Sequence, residues 1–191
     1  MNINRKLIMN RLALICGLLI SINSFGQKTE NTLEKVFRVN VINPGVEFEL
    51  PISKKSILAF NPGLGYHPSN SNLDYTSNGY TYYISPFLDF SYKMIYNQEK
   101  RDTKGRNNNY NSGNYWGLRF LTNFKELESK NLYRIDDISF ELGPTWGIKR
   151  SYGKIHFLFD IGSIYYFNTK GNNGFFPIML QLNIGFNLKK W

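Results

Sequence analysis

Long runs of two-residue alternation constrain this chain more than any other feature. From Tyr80 the even positions read Tyr80, Tyr82, Ile84, Pro86, Leu88, Phe90, Tyr92 and Met94, against Thr81, Tyr83, Ser85, Phe87, Asp89, Ser91 and Lys93. The same period recurs in residues 114–124 (Trp116, Leu118, Phe120), 137–149 (Ile138, Phe140, Leu142, Trp146, Ile148), 155–167 (Ile155, Phe157, Phe159, Ile161) and 180–188. Successive side chains of a strand point to opposite faces, so each run is a β-strand with one apolar face.

Run length separates two architectures. Strands of soluble sandwiches usually hold about five or six residues, whereas a tilted strand needs about 9–11 to cross hydrocarbon. The runs here reach that length, and their second face carries glycine and charge rather than another apolar set, as a barrel interior does. Tyr80, Tyr82, Trp116, Trp146, Tyr165 and Phe176 lie near run ends, where interfacial aromatic girdles form. The expected fold is therefore all-β: a transmembrane antiparallel β-barrel wound as an up-and-down meander, closed so that no edge is left uncovered.

Seven strands read directly, at residues 36–50, 56–66, 80–96, 114–124, 137–149, 155–167 and 175–189. Bacterial single-chain barrels have even counts, so eight are expected, with one hidden near the N-terminus or in a polar connection. Within residues 36–50 the apolar phase slips at Asn43-Pro44-Gly45, where proline cannot donate to a ladder and glycine permits a bulge. Splitting the run there gives halves too short to span, which favours one bulged strand.

The compartment follows from the N-terminus. Arg5, Lys6 and Arg11 precede the apolar run Leu12-Ala-Leu-Ile-Cys-Gly-Leu-Leu-Ile20, and Ser24-Phe25-Gly26 close the segment. That is a signal-peptide layout with cleavage expected after Gly26; the run is far below the ~20 residues of a membrane span. Residues 27–35 form a short polar lead and 36–191 the barrel. Cys16, the single cysteine, falls inside the signal, where the preceding Ile15 argues against lipid attachment, so no disulfide is expected. With His67 and His156 the only histidines, no metal site and no cofactor are expected. Removing Arg5, Lys6 and Arg11 lowers the charge from +9 to +6; for an exported basic chain the nearer partner is anionic lipid, not nucleic acid.

The signal ending Ser-Phe-Gly-Gln, the stretch Val39-Asn-Val-Ile-Asn-Pro-Gly-Val-Glu-Phe-Glu-Leu50, the step Tyr96-Asn-Gln-Glu-Lys-Arg101 and the closing strand together resemble small outer-membrane β-barrel proteins of the Bacteroidota, most of unknown function. Asn183, Gly185 and Leu188 match the C-terminal pattern by which such barrels are targeted; Lys190 departs from it and Trp191 supplies an aromatic one place late. The resemblance covers the mature chain and implies an outer-membrane location, contact with outer-membrane lipid and the barrel-assembly machinery, and an envelope protein or glycan as a further partner.

Three sets of residues carry the chemistry. Glu47, Glu49, Asp89, Lys93, Arg119, Glu141, His156 and Asp160 all fall on polar faces; an eight-stranded bore is filled by side chains, so these groups are expected to pair with one another, Arg119 with Glu141 in particular. Lys100, Arg101, Lys104 and Arg106, interleaved with Tyr96, Tyr110 and Tyr115, read plainly as a solvated asparagine-rich connection and more sharply as a binding site for an anion, a glycan or a nucleic acid strand. Catalysis finds no constellation. His156 and Asp160 are four residues apart on one strand, about 13 Å, and His67 beside Ser69, Ser71 and Asp74 shares only a loop.

The connections also differ in charge. One set, holding Lys54, Lys55, Lys100, Arg101, Lys104, Arg106, Lys149, Arg150 and Lys154 with Glu99 and Asp102, sums to +7, and the set at the other rim to −1. The expected function is a non-enzymatic outer-membrane barrel with a structural or surface-interaction role. Its alternatives are an envelope-lipid-modifying enzyme and a small-solute channel.

Overall fold

A computed structural model describes residues 33–70, 80–131 and 136–191. The expected signal segment, residues 27–32, and Ser71, Asp74 and Arg134 lie outside the described residues.

The strands are β1 (Val36–Asn40), β2 (Gly45–Pro51), β3 (Ser56–Asn70), β4 (Tyr80–Ile95), β5 (Gly113–Phe124), β6 (Glu128–Lys130), β7 (Ile138–Tyr152), β8 (Ile155–Asn168) and β9 (Asn173–Lys190). All pair antiparallel, and the order β3-β2-β1-β9-β8-β7-β5-β4 is closed into a ring by β3 against β4. The short β6 continues the stave of β5, pairing Glu128 and Lys130 with Ile84 and Tyr82 of β4. The barrel thus has eight staves.

The eighth stave corrects the sequence reading. Residues 36–50 are not one bulged strand; they fold back on themselves, with Val36 opposite Glu49 and Asn40 opposite Gly45. The phase slip at Asn43-Pro44-Gly45 marks a turn. Gly45 is required by close approach: a Cβ there would meet the carbonyl of Pro62 at 2.5 Å. The halves are as short as the sequence implies, and this leaves a mark on the wall. The last backbone bond from β1 to β9 runs from the Val41 N–H to the Ile184 carbonyl at 2.8 Å, and from the β2 side Leu64 donates to Pro44 at 2.7 Å. Beyond this tip β9 continues back to Asn173 and β3 on to Asn70, without pairing to each other among the described residues.

Polarity is inverted relative to a water-soluble core. Leu88, Phe90, Tyr92 and Met94 of β4, Trp116, Leu118 and Phe120 of β5, and Leu182, Ile184, Phe186 and Leu188 of β9 are exposed, while Arg38, Glu49, Lys149, His156, Asn183 and Asn187 are fully or almost fully buried. At one rim, which holds the C-terminus, Lys35 and Trp191 exchange backbone hydrogen bonds at 3.1 Å. The residue 96–112 connection at this rim contains a helical turn, α1 (Gln98–Asp102), and a 3-10 turn at Asn109–Asn111.

Candidate functional site

Side chains of the inward phase meet at the centre of the barrel. Register sets Arg38 opposite Glu47, and its guanidinium donates from Nη1 to Glu47 Oε1 (3.2 Å) and Glu49 Oε1 (2.9 Å), from Nη2 to Glu49 Oε2 (3.1 Å) and from Nε to Asn187 Oδ1 (3.1 Å). Lys149 Nζ donates to the same Glu49 Oε1, and Lys93 Nζ to Glu47 Oε1 at 3.3 Å. Cations from three staves, β1, β4 and β7, therefore converge on the two carboxylates of β2. A fully desolvated charge is tolerated only when paired and hydrogen-bonded in this way.

The network is stoppered by the 96–112 connection. Asn111 adopts a left-handed backbone (φ 59°), a conformation asparagine tolerates better than most residues. Its Nδ2 donates to Glu49 Oε2 and to the Glu34 carbonyl, both at 2.8 Å, and its Oδ1 accepts from the Glu34 N–H at 2.7 Å. Leu33, Ile57, Ile95, Tyr115 and Leu158 form an apolar cluster around this stopper. Tyr115 lies over Gly147 of the neighbouring stave and donates to Asp160 Oδ2 of the next, at 2.7 Å. The void left among Glu47, Asp89, Lys93, Arg119 and Asp160 is about 10 Å³, the size of one water.

The direct salt bridge of Arg119 is to Asp89, and Glu141 acts on it through space. Arg119 pairs with Asp89 (Nη2–Oδ2 2.8 Å, Nε–Oδ2 3.0 Å), while Glu141 accepts from Asn123 Nδ2 at 3.0 Å. Asp89 and Glu141 occupy one row on either side of Leu121, so both are diagonal to Arg119, and the guanidinium turns to the β4 side. Arg38 and Lys149 belong to the central network although the sequence reading did not place them there. Arg38 was legible, since it shares the inward phase of Val36 and Asn40; Lys149 was counted with the rim because the strand continues to Tyr152.

The basic segment behaves differently from a dispersed loop. Lys100, Arg101, Lys104 and Arg106 line one cavity of about 560 Å³ together with Arg150, Tyr96, Asn97 and Asn114. Two of these guanidinium groups are held in place. Arg101 donates from Nε to Asn108 Oδ1 (2.9 Å) and from Nη2 to the Asn107 carbonyl; Arg150 donates to the Lys149 carbonyl (2.7 Å) and to Asn114 Oδ1 (2.6 Å). Burial and the neighbouring Arg106 push the Arg101 guanidinium below its ordinary pKa. Among the described residues no carboxylate lines the cavity. Glu99 is turned away to Lys55 at 2.8 Å, and Asp102 accepts from Asn108. Beside the cavity Trp146 Nε1 donates to Tyr96 Oη at 3.0 Å, forming part of an aromatic belt at this rim.

His156 is fully buried, and neither ring nitrogen has a hydrogen-bond partner. No substrate reaches it. His67 stacks on Tyr83 with centroids 4.3 Å apart. Among the described residues no three His, Cys, Asp or Glu side chains are grouped as metal ligands would be.

Fold and interior together define the class: a closed antiparallel β-barrel of eight staves, apolar outside and charged within. Compared with known protein-family models, curated proteins and solved structures, the chain matches none.

Proposed function

We propose that this chain is a non-enzymatic outer-membrane β-barrel of the cell envelope, sealed along its bore, which acts by binding rather than by transport or catalysis. The observation that carries this reading is the inverted polarity of a closed ring. An exposed apolar belt around buried charges suits hydrocarbon outside, where every backbone group must be satisfied by strand pairing. The signal-like N-terminus and the resemblance to outer-membrane barrels of the Bacteroidota agree with it. A channel is disfavoured by the Asn111 stopper over the central ion network, and catalysis by the sealing of His156.

The binding surface is the Lys100–Arg101–Lys104–Arg106–Arg150 cavity. Clustered cations without carboxylates in the lining, beside an aromatic belt, suit a phosphate-bearing anion, for which guanidinium groups are shaped. Lipid headgroups at the membrane surface supply that chemistry. Float the folded barrel with neutral vesicles and with vesicles containing an anionic phospholipid, adding inorganic phosphate as competitor, and measure protection of the 96–112 connection from trypsin. Protection only by anionic vesicles supports a headgroup site; protection by free phosphate alone indicates a soluble anion. Equal cleavage throughout rejects the site.

A further inference from the structure

The short β1–β2 hairpin leaves the barrel wall incomplete, and the gap leads to a cavity. The Ile184 carbonyl faces β1. Strand alternation therefore turns the N–H and C=O of Leu182 and Leu180 to the same side, where β1 no longer runs and where among the described residues nothing pairs with them. The surroundings open progressively away from β1: Ile184 and Phe186, which β1 flanks, are 39% and 49% exposed, Leu182 45%, and Leu180 and Ile178 64% and 67%. Behind the gap lies a cavity of about 310 Å³, lined by the apolar side chains of Phe87, Leu121, Met179 and Leu182 and by the polar ones of Asn43, His67, Arg119, Asn123, Glu141 and Gln181.

We infer that this gap is a lateral binding site for a neutral, single-chain amphiphile of the bilayer, whose acyl chain enters the Phe87–Leu121–Met179 cavity and whose amide, ester or hydroxyl group bonds to the β9 edge at Leu180 and Leu182. The inference rests on the membrane reading above. In hydrocarbon an unpaired edge amide is costly, so the backbone N–H and C=O groups of Leu180 and Leu182 demand an occupant with hydrogen-bonding groups of its own. The polar lining sets that occupant's charge. The two charged side chains of the lining are of opposite sign: Arg119 pairs with Asp89, and Glu141, which accepts from Asn123, also acts on Arg119 through space, so the lining carries no net charge that calls for a charged ligand. A polypeptide strand fits less well: the hairpin tip at Ile42 and Asn43 closes the gap from below, and an inserted strand would have to stop or reverse there with fresh unpaired amides. An acyl chain ends in a methyl group.

The probe is a long-chain fatty acid amide carrying a diazirine near its chain end, added to vesicles holding the folded barrel, with adducts mapped by mass spectrometry. Adducts are expected on Phe87, Leu121 and Met179 in preference to the outer-belt residues Phe157 and Phe159. Met179→Trp, which fills the cavity, abolishes that preference. Leu180→Pro removes the N–H that faces the gap, leaves pairing to β8 intact and lowers labelling roughly fivefold, the worth of one hydrogen bond. Both variants keep heat-modifiable migration as evidence of folding. Labelling spread evenly around the belt, or unchanged in Met179→Trp, overturns the site, as does a Leu182→Cys disulfide between copies that excludes the probe. A chain that never enters the vesicles refutes the membrane reading and this inference together; one that inserts and labels evenly refutes this inference alone.

Discussion

Glu49→Gln is the sharpest test of the interior. Glu49 is fully buried and receives four hydrogen bonds, two from Arg38 and one each from Lys149 and Asn111. An amide is isosteric but neutral, and it presents donors where one oxygen now accepts. Arg38 and Lys149 would then share only Glu47, which Lys93 already engages. Breaking a buried pair by removing one partner costs about 3–5 kcal/mol, because the surviving charge stays desolvated. The assay is equilibrium urea unfolding in lipid vesicles, followed by tryptophan fluorescence. Glu49→Gln is expected to lower stability by about 3–5 kcal/mol, and adding Lys149→Met should return about 1–3 kcal/mol as coupling energy. A single-mutant loss below about 1 kcal/mol, or strictly additive losses in the double mutant, would refute the pairing.

Further outcomes follow from other contacts. Leu88→Arg, on the outward face of β4, should cost roughly 2–4 kcal/mol and block assembly, read as loss of the fast-migrating unboiled band. Gly147→Ala places a Cβ against the ring of Tyr115 and within 2.7 Å of the Asp160 Cβ; it should cost about 1–3 kcal/mol by overpacking, whereas alanine at Gly105, which meets nothing within 4 Å, is limited to the strain of its positive φ. Asn111→Ala removes the stopper's bonds to Glu49 and Glu34, so hydrogen exchange in residues 96–112 should rise while that of β7 and β8 stays constant. Unchanged exchange would mean that Asn111 does not hold the connection.

Most strands were legible because a one-residue slip would turn the whole apolar set inward. The run read as 155–167 is β8 (Ile155–Asn168), and that read as 80–96 is β4 (Tyr80–Ile95). The missing stave was legible as a phase slip at Asn43-Pro44-Gly45 but read as a bulge, because five residues are too few to span and sequence alone does not say that a neighbouring wall tolerates a gap. Inward residues were assigned by phase, while their partners were not. Arg119 has a carboxylate on each diagonal, and register alone does not choose between Asp89 and Glu141. The convergence of Arg150 with Lys100–Arg106 joins a strand end to a connection more than forty positions away, and no local pattern encodes it.

The central claim is a barrel that folds only where its belt meets hydrocarbon. Dilute residues 27–191 from urea into buffer with and without phospholipid vesicles, and compare boiled and unboiled samples on a gel. The account predicts a fast-migrating, heat-modifiable band that forms with vesicles and not without them. A monodisperse folded monomer in buffer alone, with the same β-content and no heat shift in either sample, would contradict it.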